Sequence, residues 1–198
     1  MVKPGLGTLD RRSVVARLLA NRDDLLVVTG LGSPSYDVHA AGDHIGNYYL
    51  WGAMGAAALV GLGLAVAKPD RTVLVITGDG EQLMGLGGMA TIAIAAPTNL
   101  VIVVLDNGHY GETGMQRSHT GFGLDLAAVA KAAGFAETSL VIDEAGVEAL
   151  AQSLIKTAQG PRFHTVRIKA ENLPRSLPSR DAVHIKNRFR THLGFGVT

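Results

Sequence analysis

Three short runs of aliphatic residues constrain the fold of this 198-residue chain more than any other feature. They lie at residues 25–29 (LLVVT), 71–77 (RTVLVIT) and 99–105 (NLVIVVL), with helix-like stretches between them. Strands that are apolar on both faces are typical of a parallel sheet covered by helices. A last strand is expected at 163–168. The pattern predicts an α/β fold, a doubly wound and mainly parallel sheet with helices on both faces.

Helices are expected on either side of these strands. Asp10 offers a side-chain cap for the first of them. No repeat and no linker divides the chain, so we expect a single diphosphate-binding domain over 1–170 and a basic tail over 171–198. The predicted helices span residues 11–20, 50–66, 82–95, 124–133 and 144–158.

The composition excludes several classes of function. The chain has 18 Lys and Arg and 17 Asp and Glu, so its net charge is too small to favour a nucleic-acid partner. The absence of cysteine removes disulfides, thiolate catalysis and iron–sulfur ligation. Residues 1–12 lack the apolar segment of a signal peptide, and glycines interrupt the apolar stretch at 53–67. We therefore expect a cytoplasmic protein with no membrane partner.

Glycine and polar residues concentrate where the predicted strands end, which is where ligands bind in parallel sheets. The segment at 30–37 (GLGSPSYD) begins like a dinucleotide-binding motif. It lacks the third glycine and the acidic residue that should follow about 20 residues later. A nicotinamide dehydrogenase is thus weakly supported, and a turn or a loop of a different site is favoured.

The second strand runs into Gly78, Asp79 and Gly80, and the third runs into Asp106 and Asn107. Asp-Gly alone is a common turn signal. The 25 residues at 81–105, however, suit one helix and one strand, which would bring Asp79 beside Asn107. A carboxylate, an amide oxygen and a nearby carbonyl suit Mg²⁺ that also binds phosphate oxygens. Glycines would let backbone N–H groups approach those phosphates.

This GDG motif, its spacing and the Asn that follows resemble the signature of thiamine-diphosphate-dependent enzymes. The resemblance implies thiamine diphosphate and Mg²⁺ as cofactors. It implies that Asp79, the Asn107 side chain and the His109 carbonyl bind the metal. Asp106 stands where the family usually has Asn, but the ligand maps to the second position of the pair. Residues implied to bind the cofactor through this turn and loop are Gly78, Asp79, Gly80, Glu81, Asn107, His109, Tyr110 and Gly111.

The segment at 49–55 (YLWGAMG) resembles the part of the family that holds the cofactor's pyrimidine ring. The resemblance implies that the Gly52 carbonyl accepts a hydrogen bond from that ring and that Met54 bends the cofactor. From spacing alone, Met54 would be a core methionine. After the metal ligands, His109, Glu112 and His119 are candidates for catalytic proton transfer. Alternatively, these residues orient the loop or contact a partner.

In this family an activating glutamate lies on a separate pyrimidine-binding domain, and this chain has no second α/β unit to carry one. The resemblance therefore implies the diphosphate-binding subunit of a split enzyme. Its partner would be a pyrimidine-binding (alpha) subunit in a hetero-oligomer such as an alpha2beta2 assembly or larger. The tail at 171–198 would clamp that partner, guide an anionic substrate, or form a solvated terminus.

Residues 51–80 and 89–116 resemble, among split members, the sulfopyruvate and phosphonopyruvate decarboxylases. The implied activity is a lyase that decarboxylates a small anionic 2-oxo acid to an aldehyde. A carboligase or 2-oxo acid oxidoreductase subunit is an alternative, although ferredoxin-linked oxidoreductases commonly need cysteines. A non-catalytic subunit that binds the cofactor for regulation is an alternative of another class.

Overall fold

The computed structural model describes residues 7–156 and 158–196, and its centre is a six-stranded parallel sheet. The strands are β1 (Leu26–Thr29), β2 (Asn47–Tyr49), β3 (Val73–Gly78), β4 (Leu100–Asp106), β7 (Glu137–Val141) and β8 (Arg162–Arg167); β5 (His109–Tyr110) and β6 (Gln116–Arg117) form a separate antiparallel pair. The order across the sheet is β2-β1-β3-β4-β8-β7. The predicted fold class is confirmed.

Helices cover both faces of the sheet. The helices are α1 (Arg11–Leu19), α2 (Ser33–Ala40), α3 (Ala57–Ala67), α4 (Asp79–Met84), α5 (Gly88–Ala95), α6 (Leu126–Ala133), α7 (Glu144–Ser153) and α8 (Ala182–His192). Side chains of α1, α2 and α7 form one buried apolar cluster, and those of α3, α5 and α6 form the other. In β4, Val101 and Val103 join the first cluster while Ile102 and Val104 join the second. This two-sided burial explains why the strand sequence is apolar throughout.

Two predicted helices differ from those observed. The helix expected at 50–66 begins only at Ala57, because Gly52 and Gly55 hold φ of +74° and +85° in a loop before it. The helix expected at 82–95 is two helices, α4 and α5. They separate at Gly85, where an added Cβ would overlap the Gly55 carbonyl. Close approach of two backbones therefore divides a sequence that has helical composition.

Several further elements were not predicted, including the two-residue strands β5 and β6. The helix α2 starts with Ser33 and Pro34, a sequence that reads equally well as a turn. The strand β2 has three residues, too few for a periodic pattern. The edge strand β7 and the charged helix α8 could not be predicted because their exposed residues weaken the apolar signal. Of the helix predicted at 144–158, residue 157 lies outside the described residues.

The tail at 171–198 carries α8, which packs on the body of the protein. Ile185 and Phe189 are buried, one in each apolar cluster. The Phe189 ring lies 5.5 Å from that of Tyr48 on β2. Residues 197–198 lie outside the described residues, as do residues 1–6 of the segment that is expected to lack a signal peptide. Within the described ranges, no helix is both long enough and apolar enough to cross a bilayer.

Candidate functional site

The carboxyl ends of β3 and β4 form one wall of a cavity of about 340 Å³. Gly78 pairs in register with Leu105, so Asp79 and Asn107 follow adjacent strand ends. Both line the cavity, as the spacing predicted. The other residues from the sequence analysis that line it are Met54, Gly78, Gly80, Glu81, His109, Tyr110, Gly111 and Glu112.

Asp79 is held by two hydroxyl groups from the segment after β6. Thr120 Oγ1 lies 3.0 Å from Asp79 Oδ2, and Ser118 Oγ donates to the same oxygen. Neither hydroxyl donates to Oδ1. Burial, reinforced by the charge of Asp106, raises the pKa of Asp79 to about 6. The Asp79 carboxylate is therefore oriented by fixed donors, and a bound cation would offset the cost of its buried charge.

Asp106 is part of the same polar cluster. Its Oδ1 accepts from the Gly108 N–H at 2.9 Å and lies 2.7 Å from Thr120 Oγ1, so Asp106 and Asp79 share the single proton of that hydroxyl. Its Oδ2 lies 2.9 Å from Arg167 Nη1, directly across the β4–β8 pairing. Burial raises the pKa of Asp106, while Thr120 and Arg167 oppose the rise. A carboxylate at this position thus has a structural partner, Arg167, that an asparagine would pair with less strongly.

Asn107 and His109 form a compact turn. The His109 N–H donates to Asn107 Oδ1 at 2.8 Å, and the His109 ring Nδ1 lies 2.8 Å from the Asn107 carbonyl. Because a carbonyl only accepts, Nδ1 carries the proton in this arrangement. The Nε2 of a neutral His109 ring is then an acceptor.

The donor atoms at this edge fit a magnesium diphosphate. Asp79 offers a carboxylate, and the Asn107 amide oxygen keeps a second lone pair beside the one used by His109. A Cβ placed on Gly78 would have only Pro34 Cγ within reach, at 4.0 Å, so the backbone there is open to the cavity. Among the described residues no three His, Cys, Asp or Glu side chains cluster as a metal site. A cation would rely on the carboxylate, amide and carbonyl set.

Gly80 and Glu81 serve contacts within the protein. A Cβ on Gly80 would lie 2.6 Å from Tyr110 Cδ1, so the tyrosine ring covers this glycine. Glu81 Oε1 accepts from the N–H groups of Gly55 at 2.8 Å and Ala57 at 3.1 Å, and Thr77 donates to Oε2. Glu81 thereby satisfies a free N–H in the first turn of α3, which has no side-chain cap of its own.

Of the remaining predicted residues, some line the cavity and others do not. Met54 lines the cavity and is 46% exposed, unlike a core methionine. Gly52 lies in the same loop with φ of +74°. Glu112 lines the cavity and pairs with Arg175 Nη2 of the tail at 2.9 Å. His119 is exposed and is not among the residues that line the cavity.

The sequence analysis missed several residues of the cavity. Ser33 and Pro34 belong to the segment interpreted as a turn or a loop of a different site, and the structure places them in the lining of the cavity that holds Asp79. Arg11 and Asp37 also line the cavity, from α1 and α2. The sequence gives no signal for these two, because they meet only when α1 packs beside α2.

Comparisons with known proteins identify the family to which the chain is similar. Residues 31–168 match the family described as thiamine pyrophosphate enzyme, C-terminal TPP binding domain. The sulfopyruvate decarboxylase subunit beta of Methanothermobacter thermautotrophicus is 38% identical over 181 residues, which cover 91% of this chain and 94% of that protein. The phosphonopyruvate decarboxylase of Streptomyces viridochromogenes is 45% identical over 126 residues, which cover 63% of this chain and 31% of that protein.

Among solved structures, the benzoylformate decarboxylase from Polynucleobacter necessarius matches with a TM-score of 0.69 at 22% identity. The match covers 84% of this chain and 34% of that structure, so this chain spans about a third of its length. At that identity the likeness shows a shared fold.

Proposed function

The chain belongs to the thiamine pyrophosphate enzymes, and on that premise we propose its function. It matches their C-terminal TPP-binding domain, and its relatives include decarboxylases. It decarboxylates a small anionic 2-oxo acid, of the sulfopyruvate or phosphonopyruvate kind, to an aldehyde. It does so with thiamine diphosphate and Mg²⁺, as the diphosphate-binding subunit of a split enzyme. The single observation that carries the proposal is the oriented pair of Asp79 and Asn107 at one cavity wall.

In this proposal Asp79, the Asn107 side chain and the His109 carbonyl hold Mg²⁺, and Gly78 presents open backbone to the diphosphate. The bound cofactor supplies an electron sink for the carboxylate that leaves as CO₂. Met54 lines the same cavity, in the loop that Glu81 anchors, and would pack against the bound cofactor. Ser118 and Thr120 keep the Asp79 carboxylate in position.

The reaction replaces the lost carboxylate with a proton on the former carbonyl carbon. Glu112 and His109 line the cavity and are the candidates for delivering that proton. His109 Nδ1 is committed to the Asn107 carbonyl, so its Nε2 is the ring atom available for proton transfer.

The chain works with a pyrimidine-binding partner that supplies the activating glutamate. The name of the Methanothermobacter relative, subunit beta, supports a second chain, and the exposed side chain of Met54 beside the cavity supports a surface for it. Full decarboxylase activity from this chain alone would contradict this part of the proposal.

Calorimetric titration of the two-chain complex tests cofactor binding. Thiamine diphosphate should bind only with Mg²⁺, and Asp79→Asn should weaken binding at least about 100-fold, since it removes a charged metal ligand. Asp70→Asn, a change of an exposed carboxylate, is the matched control and should leave binding unchanged. Metal-independent binding, or wild-type affinity in Asp79→Asn, would contradict the proposed site.

Release of CO₂ and aldehyde is then assayed with sulfopyruvate and phosphonopyruvate. Binding of the cofactor without release from any 2-oxo acid would favour the regulatory alternative over the decarboxylase.

A further inference from the structure

Arg11 is a buried cation on the wall of the cofactor cavity. It is the first residue of α1, its exposure is 4%, and it lines the same cavity as Asp79 and Asn107. Arginine is almost never buried unless its charge is paired, and its guanidinium carries five N–H donors. Donors of Arg11 that the protein itself does not use would therefore be available to a ligand.

The pairing of Arg11 is incomplete. Its Nε lies 3.2 Å from Asp37 Oδ2, but neither atom makes a hydrogen bond of normal geometry. The other oxygen of Asp37 accepts from Arg12 Nε at 3.3 Å. Among the residues that the structure describes, the Arg11 guanidinium donates no hydrogen bond. Its guanidinium thus has donors without a protein acceptor, in a residue that lines the cavity.

Asp37 is the carboxylate nearest to Arg11, and its charge is divided between two arginines. Burial raises the pKa of Asp37 to about 6 although Arg11 and Arg12 act to lower it, so the carboxyl is largely ionised at neutral pH. Because Asp37 also pairs with Arg12, it does not use the donors of the Arg11 guanidinium fully. A buried arginine with free donors is suited to bidentate binding of an oxyanion.

The chemistry of the cavity narrows the choice of oxyanion. The diphosphate is assigned to the side of Asp79 and Asn107. A guanidinium paired with the carboxylate that leaves would stabilise the ground state more than the transition state, which would slow decarboxylation. An anionic group that stays on the substrate keeps its interaction throughout the reaction.

We propose that Arg11 binds the tetrahedral oxyanion, sulfonate or phosphonate, on the third carbon of the 2-oxo acid substrate, with Asp37 as its positioning residue. This inference rests on the proposed function. Because the group is retained in the transition state, the interaction is uniform binding. Its loss raises KM and leaves kcat nearly unchanged.

The kinetic test uses the complex with the pyrimidine-binding partner. Arg11→Gln should raise KM for sulfopyruvate and phosphonopyruvate about 10-fold to 100-fold, as expected for a lost charged hydrogen bond. The kcat for both, and the kcat/KM for pyruvate, which has no second anion, should change by less than about threefold. Arg11→Lys keeps the positive charge but loses the planar guanidinium that can donate two parallel hydrogen bonds, so it should give an intermediate KM. The substrate whose KM increases more, sulfopyruvate or phosphonopyruvate, carries the oxyanion that Arg11 binds more tightly.

Arg17→Gln is the matched control. Arg17 lies on the same helix but pairs with Glu148 of α7, away from the cavity, so its KM values should remain those of the wild type. An equal loss of kcat/KM for pyruvate and for the dianionic substrates would show that Arg11 is only structural and would overturn the proposal.

A binding measurement decides the proposal independently of turnover. Sulfoacetate is titrated into the complex loaded with thiamine diphosphate and Mg²⁺, with acetate as the reference. Wild type should bind sulfoacetate at least about tenfold more tightly than Arg11→Gln does, while both bind the cofactor equally. No binding of sulfoacetate, or equal binding by both proteins, would overturn the proposal. Loss of cofactor affinity in Arg11→Gln would assign Arg11 to the diphosphate and would overturn it too. Absence of decarboxylation by wild type would instead count against the proposed function.

Discussion

The imidazole of His164 couples the stability of the protein to pH. It is buried between β7 and α7, where Nδ1 lies 2.8 Å from Ser139 Oγ and Nε2 has no partner among the described residues. Burial, aided by the positive charge of Arg162, lowers the pKa of His164 to about 4 from 6.5. Asp143, an exposed acidic residue, lines the same pocket.

We predict that this histidine destabilises the folded protein in acid. The unfolded chain binds the proton below pH 6.5 and the folded protein only near pH 4, so stability falls as pH decreases through that window. The contribution lost across the window is about 3 kcal/mol. His164→Gln should flatten the dependence of urea unfolding on pH between 7 and 4.

The matched control for this prediction is His184→Gln, a change of an exposed histidine on α8. It should leave the pH dependence of the wild type in place. A steep acid dependence that persists in His164→Gln would show that other groups dominate the acid response.

Single residues of the site differ in how far the sequence reveals them. Asp79 and Asn107 could be predicted because each follows a strand end, and strand ends are brought together by a regular topology. Ser118 and Thr120, which lie 39 and 41 residues from Asp79, could not. Their hydroxyl groups reach the carboxylate through an irregular segment that has no periodic pattern.

At the scale of elements, the packing of α3 on β3 depends on a glycine. A Cβ on Gly61 would overlap Val75 Cγ2 and lie 3.3 Å from Leu100 Cδ1. Gly63, two residues later on the same helix, faces open space. The two glycines therefore have opposite structural requirements.

We predict opposite effects of alanine at these two positions. Gly61→Ala should lower the free energy of unfolding by about 1–3 kcal/mol through overpacking. Gly63→Ala should raise it by about 0.5–1 kcal/mol, because alanine favours a helix over glycine. Chemical denaturation of the isolated chain measures both. Equal effects of the two changes would contradict the close contact between α3 and β3.

Elements that are buried on both faces were predictable, and elements at the edges were not. The strands β3 and β4 carry an unbroken apolar signal because both of their faces are covered. The edge strand β7 mixes buried and exposed residues, and β2 is too short. The first N–H of α3, that of Ala57, donates to Glu81, which lies 24 residues away in the sequence.

At the scale of the whole molecule, the tail connects β8, the strand next to one edge of the sheet, with β2 at the other edge. It leaves β8, crosses the strand ends and ends in α8 against β2. Trp51 Nε1 donates to the Ser179 carbonyl at 2.9 Å along this path, and Arg188 Nη1 lies 2.6 Å from Asp43 Oδ2. The assignment of 171–198 as an arm for a partner or substrate stays a prediction.

We predict that this attachment contributes to global stability. Phe189→Ala should lower the free energy of unfolding by about 3 kcal/mol, since it empties a buried site beside Tyr48. Val183→Ala, at a position 63% exposed on the same helix, should change it by less than about 0.5 kcal/mol. Thermal unfolding of both variants measures the difference, and a neutral Phe189→Ala would show that α8 is dispensable.

The hydrogen bonds of Glu81 have a consequence for assembly of the active site. One turn of α4 carries both Asp79 and Glu81, and Glu81 fastens the backbone of the loop that presents Met54. The proposed metal end and the proposed pyrimidine end of the site are therefore set at a fixed separation by the protein itself. The site would therefore select a ligand by its length, because a molecule shorter or longer than thiamine diphosphate could not contact both ends at once.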